Sequence, residues 1–339
     1  MGTQLNTYGD ISPRTAGFAT RDLLDRGQYA LVLERFGQTD PQGKNKTKTR
    51  KWRRYLSLLR ATAPLAEGIS PAGSRLNYTD VTATLEQYGD VTWLSDVILD
   101  THEDPVLKET VKIMSEQLAE TVEVIRFNAL KAGTNVYYPA AATTRATVNS
   151  PVTRAMLRLV VRSFSRNKAR KIAEIVKASG MISTEPVESA FFAVCHTDLD
   201  SDIRALTGFK TVSEYSDSNK ALPNEIGSCE QVRFITSALL DPWLAAATSS
   251  SGSIYLTDGA SGTGYPDVYP ILIFARDAYA IVPLQGKNSV QIGVVNPKVT
   301  TDDPLGQKGL ASWKRYDATA ILNQLWMARC EVACTATPA

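Results

Sequence analysis

The residues best suited to chemistry sit in HTDLDSD, where His196, Asp198, Asp200 and Asp202 recur at every second position. Alternating carboxylates open a calcium loop, but such a loop needs Gly at its sixth position and Glu at its twelfth. Counted from Asp198, those positions hold Ile203 and Phe209, so the loop fails. Acids at the start of a helix complement its dipole, and that structural reading is the preferred one. His102 opens HEDP without a second His at the zinc-protease spacing, and the chain has only two histidines. The run GASGTG, residues 259–264, lacks the Lys-Ser/Thr of a phosphate-binding loop and reads as a flexible loop. No GxSxG serine motif and no recognisable Cys-His spacing occur, so the expectation is a chain that is not an enzyme and takes no cofactor or metal.

The other distinctive residues are basic. KNKTKTRKWRR, residues 44–54, carries seven basic side chains and no acid, in a chain of formal net charge +2. A second set, Arg154, Arg158, Arg162, Arg166, Lys168, Arg170 and Lys171, is equally free of acids. Without the first set the remainder carries −5, and without both it carries −12. A nucleic-acid binder is usually basic over a whole domain, whereas two basic segments on an acidic remainder suit docking of one copy on another. Trp52 and Tyr55 among the cations also resemble a stacking platform for single strands, so a nucleic-acid-binding protein is the alternative reading.

The elements that position these residues follow from pattern. Ser12 and Pro13 open an interrupted helical arm over residues 12–37, with a break near Gly27, and TDPQG ends it. From Lys46 to Leu59 the sequence is strand-like. One face carries Lys46, Lys48, Arg50, Trp52, Arg54 and Leu56, and the other Thr47, Thr49, Lys51, Arg53 and Tyr55, so neither suits a core. RLNYTDVTATLEQYGD returns after a Pro/Gly-punctuated tip, APLAEGISPAG, with Asp80 and Glu86 opposite the basic strand. A two-stranded hairpin without a buried face needs another surface.

The spacing next predicts a spine helix from Asp104 and Pro105 to a stop at Gly133. Leu107, Val111, Met114, Leu118, Val122, Ile125 and Ala129 form its apolar stripe, with Lys108, Lys112, Glu116, Glu120 and Glu123 mostly facing away. A helix over residues 151–178 follows, with Leu157, Val160, Val161 and Phe164 inward and arginines at every fourth position as a ridge. AFFAVC, EQVRFITSALL, YPILIFA, YAIVPL and VQIGVVN read as strands, with a Ser/Gly-rich surface insertion between the second and third.

Cys195, Cys229, Cys330 and Cys334 show neither a CxxC spacing nor disulfide-scaffold density. The last two lie on one strand face, ~13 Å apart, too far to pair, so the cysteines read as small apolar residues in a reducing compartment. No apolar run at the N-terminus forms a signal peptide, and the longest apolar run, YPILIF, is cut by Arg276 and Asp277. The expectation is a protein made in a cytoplasm, without a membrane partner.

This order of arm, extended hairpin, spine helix, mixed lobe and returning C-terminal strand resembles the α+β fold of tailed-phage capsid proteins, named for the Hong Kong ninety-seven phage. TYGDISPRTAGF, VLERFGQ, NKTKT, NYTDVTATLEQYGD, DTHEDPVLKE, LKAGTN, HTDLDSDIR, VNPK, DPLGQKG and WMARCEVA resemble major capsid proteins of N-four type podophages. The resemblance implies an N-terminal arm (residues 1–43), an extended loop hairpin (44–90) and a peripheral domain with the spine helix (91–150). It further implies a mixed α/β axial domain (151–290), with a surface insertion at 245–266, and a C-terminal return to the peripheral domain (291–339).

It also implies a structural protein of the virion, with hexamers and pentamers forming an icosahedral head around double-stranded DNA, assembled in the bacterial host's cytoplasm. Partners would be further copies of itself, a portal protein, scaffolding and decoration proteins, and packaged DNA held non-specifically. A shell of a cellular compartment with the same fold is a further alternative. The arm and hairpin leave no room before the spine helix for a fused scaffolding domain, so a separate scaffold or none is expected. Expected inter-subunit contacts are Lys46, Lys48, Arg50, Lys51, Trp52, Arg53 and Arg54 with Glu67 near the tip. The ridge Arg154, Arg158, Arg162, Arg166 and Arg170 faces either a neighbouring subunit or DNA.

Overall fold

The computed structural model describes residues 5–6, 31–62, 64, 67–68, 73–101, 106–140, 142–176, 184–214, 222–248, 254–257, 260–261, 264–285, 290–299 and 303–336. Most of the expected helical arm, residues 12–30, lies outside them, as does the expected helix start at Asp104 and Pro105. The described end of the arm holds one 3-10 turn, Leu33–Arg35.

Two sheets organise the chain. A mixed eight-stranded sheet runs in the order Val136–Tyr137, Met327–Val332, Tyr269–Phe274, Thr184–Cys195, Val232–Thr236, Glu225–Cys229 and Lys210–Thr211, with Ile172–Val176 also pairing Thr184–Cys195. Its middle strands are near-continuous apolar runs because both faces are covered. Tyr269–Phe274 and Met327–Val332 are buried at every position. On one face Ile271, Ile273, Cys330 and Val332 pack with Met156, Leu157, Val160 and Phe164 of the helix Arg154–Arg166. On the other, Leu272 and Phe274 pack with Val32, Leu33 and Phe36 from the arm and with Phe127 and Leu130 from the spine helix.

That second layer continues into a four-stranded sheet, ordered Leu5–Asn6, Glu86–Ser95, Lys308–Asp317, Val290–Val295. Ten register pairs join Glu86–Ser95 to Lys308–Asp317, from Glu86↔Asp317 to Ser95↔Lys308. Met114, Leu118 and Val122 of the spine helix pack on Ala311 and Trp313 of this sheet. The long strand Glu86–Ser95 runs through residue 90, so the hairpin continues into the lobe beyond it without a break. The C-terminal segment divides: Lys308–Asp317 joins this sheet, and Met327–Val332 enters the eight-stranded one.

The spine helix spans Val106–Lys131, 26 residues and so ~39 Å. It ends where expected, since Gly133 N donates to Leu130 O at 3.0 Å and a Cβ on Gly133 would meet Met327 Cε at 2.5 Å. A short helix not expected, Asp96–Thr101, precedes it. Its buried face is rotated from the expected stripe. Met114, Leu118 and Val122 are buried, but Lys112, Glu123 and Arg126 are too, while Leu107, Val111, Ile125 and Ala129 are only half-buried. Lys112 and Glu123 therefore do not face away, because the arm and the strand Lys308–Asp317 cover that flank.

The helix expected over 151–178 ends at Arg166. Asn167 caps it and Lys168 turns left-handed at φ 54°, after which Ile172–Val176, rich in β-branched residues, takes sheet pairing instead. Within the insertion, the described residues form one short pair, Leu256–Thr257 with Ala260–Ser261.

Candidate functional site

The acid cluster is structural. His196 Nδ1 accepts from Asp198 N at 3.1 Å and caps the turn Thr197–Leu199, which leads into the helix Asp200–Arg204. Asp198 accepts from Tyr269 Oη at 2.8 Å, Asp200 binds Arg204, and Asp202 accepts from Thr335 N at 2.9 Å. Asp198 and Asp202 thus each join two parts of the fold, and Asp200 pairs within its own helix. Among the described residues no group of three or more His, Cys, Asp or Glu is placed to hold a metal ion. His102, Gly259 and Gly262 lie outside the described residues. The four cysteines are buried free thiols, and burial pushes Cys330 and Cys334 up to about 12. No described helix is long and apolar enough to cross a membrane.

The basic stretch forms the outgoing strand Thr49–Tyr55, paired antiparallel with Tyr78–Thr84 from Thr49↔Thr84 to Tyr55↔Tyr78. Its cations divide in a way the sequence does not reveal. Arg50 forks onto Asp40, Nε to Oδ2 at 3.0 Å and Nη2 to Oδ1 at 2.6 Å, and Trp52 Nε1 donates to the same carboxylate at 2.9 Å. Lys51 and Arg53 meet Asp80 at 2.7 and 2.9 Å, holding its carboxyl well below the usual range, and Lys48 meets Glu86 at 3.2 Å. Trp52 packs against Ala83, Leu85, Val282 and Ala318, so one face of the stem does reach a small core, contrary to expectation.

The chain thus supplies the acids for Lys48, Arg50, Lys51 and Arg53. Lys46 and Arg54 make no ion pair among the described residues, and Glu67 is exposed in a turn near the tip. At the end of the stem and beyond it, Tyr55, Leu56, Leu58, Leu59, Leu76 and Tyr78 are exposed among the described residues, Leu59 at 95%. Exposed apolar patches of this kind mark interaction surfaces.

The arginine ridge also divides. Arg154 and Arg158 share Glu230, the latter at 3.0 Å. Arg162, Arg166 and Arg170 are exposed and make no ion pair among the described residues.

A buried charge network lies between the arm, the spine helix and the strand Lys308–Asp317, where none was expected. Glu123 Oε1 accepts from Val32 N at 3.1 Å and Leu33 N at 2.9 Å, so a spine-helix carboxylate caps the arm's turn. Tyr279 Oη donates to Leu33 O at 2.5 Å from the strand Tyr279–Ile281. Three residues along the helix, Arg126 holds Asp317 at 2.9 and 3.2 Å and Glu34 at 3.2 Å. Burial raises Glu123 to about 7 despite the two N–H donors and the nearby Arg126.

A second knot ties Glu331, fully buried, to Arg145 at 2.9 Å and Arg329 at 2.8 Å. Arg145 and Lys131 lie over the Trp243 ring at 3.6 and 4.1 Å. Arg126, four positions from Val122 and so on its face of the helix, was the one local signal available, and Glu123, next to Val122, was expected to face away. What these groups do is mechanical: they clamp arm, spine helix and C-terminal strands together.

Comparison with known proteins fits this architecture. The chain superposes on the capsid of Ralstonia phage GP4 with TM-score 0.66 at 8% identity, covering 98% of each chain. The cyanophage Pam1 capsid gives 0.63 at 11% identity, covering 98% of this chain and 99% of that one. The head of Helicobacter pylori bacteriophage KHP40 gives 0.59 at 12% identity, covering 87% of both. Identities this low establish the fold alone, and the fold is the α+β tailed-phage capsid fold that the resemblance implied. No curated protein matches the sequence. The profile described as phage capsid protein matches residues 78–330, most of the chain, with the return strand, the spine helix and most of both sheets inside it, so this chain belongs to the phage capsid protein family.

Proposed function

We propose that this chain is the major capsid protein of a tailed bacteriophage of the N-four podophage type. Copies assemble as hexamers and pentamers into an icosahedral head around double-stranded DNA. Arm, hairpin, peripheral and axial regions divide as the resemblance implies, and portal, scaffolding and decoration proteins are its further partners during assembly in the host cytoplasm.

The observation that carries this reading, beyond family membership, is the hairpin. Its stem is satisfied by Asp40, Asp80 and Glu86, which fixes its direction. Its distal half exposes Tyr55, Leu56, Leu58, Leu59, Leu76 and Tyr78, which a lone subunit has no reason to leave in water. A neighbouring copy is the surface that covers them. The stem cations set the geometry, and the tip makes the contact.

Replacing residues 56–77 with a two-residue Asn-Gly turn tests this, because it keeps the stem register. The shortened protein should remain folded and soluble but yield no closed shells by electron microscopy. Normal shells from it would remove the latch role. Assay of purified particles for encapsulated DNA separates a phage head from a cellular compartment.

A further inference from the structure

We infer that the free half of the arginine ridge is a phosphate-binding surface for duplex DNA, and that the subunit uses it without reading base sequence. The inference rests on the shell reading above and adds where the shell meets its contents.

The ridge is divided by Glu230. Arg154 and Arg158 are neutralised there, within the chain. The next turn of the helix and its exit carry Arg162, Arg166, Lys168, Arg170 and Lys171, none with an ion pair among the described residues. Arg276 N donates to Arg170 O at 2.9 Å, which brings a sixth cation beside them, its one acid among the described residues being Asp277 at 3.8 Å.

Two properties favour phosphate over a second subunit. Protein interfaces bury an apolar centre depleted in charge, yet Leu159 is the one large apolar side chain exposed along this helix. The hairpin tip, with its six exposed large apolar side chains, has the opposite character. Spacing agrees as well. Arg162 and Arg166, four residues apart on the helix, are ~6 Å apart along its axis, close to the axial advance of two phosphates of one strand at ~3.4 Å each. Guanidinium forks suit phosphate oxygens, and contacts to phosphate carry no sequence information.

The test uses the purified, unassembled full-length subunit and a short duplex DNA, with affinity followed over a salt series. The wild type should bind weakly, with a linear log–log dependence on salt. Replacing all three of Arg162, Arg166 and Arg170 with Gln should lower that slope by roughly 2.7, at about 0.9 for each phosphate no longer neutralised. The triple variant Arg54→Gln, Arg60→Gln, Arg75→Gln, at the hairpin tip, should leave the slope unchanged. Should the ridge triple variant melt early, Arg166→Gln alone is read, with an expected decrease of about 0.9.

An unchanged slope and affinity in the ridge variant would overturn the proposal, as would a wild-type subunit without salt-dependent binding. A ridge variant that binds DNA normally but no longer closes shells would reassign the ridge to a subunit interface. Shell closure is scored separately by electron microscopy of protein co-expressed with its scaffolding protein, so wild-type protein that forms no shells there would refute the shell reading without touching the DNA result.

Discussion

Replacing Glu123 with Gln isolates the buried carboxylate that holds the arm to the spine helix. In the fold Glu123 titrates at about 7, against 4.5 for an ordinary glutamate, because burial outweighs the two N–H donors and Arg126, and Glu34 pushes the same way. Below the lower value the group is protonated in both folded and unfolded chains and contributes no pH dependence. As pH rises through the interval, the unfolded chain releases the proton while the fold keeps it, so stability falls with rising pH. Above the folded value the full cost applies, about 3 kcal/mol at 1.36 kcal/mol per unit. Gln keeps the carbonyl that accepts from Val32 and Leu33 and removes the titration.

Urea unfolding of the unassembled subunit at fixed ionic strength, from about pH 4.5 to about pH 7.5, measures the difference. The wild type should lose about 3 kcal/mol more than Glu123→Gln across that range. The groups facing Glu123, namely Arg126, Glu34, Arg35 and Tyr279, are common to both proteins, so their contributions largely cancel. Parallel pH profiles would refute the account of Glu123 as a group protonated by burial. A companion variant, Glu123→Ala, leaves the Val32 and Leu33 N–H groups unpaired, at about 1–3 kcal/mol, and should speed hydrogen exchange of residues 32–36 first.

Other outcomes follow from the same network and its neighbours. Arg126→Met removes both hydrogen bonds from the buried Asp317 carboxylate, leaving it the longer Arg315 contact at 3.9 Å, and should cost about 3–5 kcal/mol in urea unfolding, with Asp317→Leu added on top recovering much of it. Asp40→Ala removes the acceptor of Arg50 and Trp52 together; global stability should stay within about 1 kcal/mol, while the strand Thr49–Tyr55 exchanges its amides faster. Phe164→Ala empties a fully buried position beside Phe191 and should cost about 3–5 kcal/mol by the same measurement. Gly227→Ala would place a Cβ 2.2 Å from Lys210 O; hydrogen exchange should show the pairing of Glu225–Cys229 with Lys210–Thr211 opening first.

Much of the architecture was legible because it is written in short-range pattern. The spine helix shows in steps of three and four, the apolar strand runs show in composition, and the hairpin shows in the alternation of 46–56 with its return. Local chemistry also disposed correctly of HTDLDSD as a helix start. Pattern misjudged the arginine helix beyond Arg166, where Lys168 in a left-handed conformation and pairing of Ile172–Val176 override helical periodicity.

Sequence by itself determined most of the element types, their order and the density of positive charge at two places. Tertiary structure decided which of those charges are free. Asp40 reaches Arg50 from ten residues away, but Glu123 meets Leu33 across 90 positions and Arg126 meets Asp317 across 191. Periodicity carries information over a few turns, whereas an ion pair depends on where two distant segments are brought together. That is why the seven cations of 44–54, alike in sequence, separate in the fold into four held by Asp40, Asp80 and Glu86 and others, Lys46 and Arg54 among them, without an ion pair among the described residues.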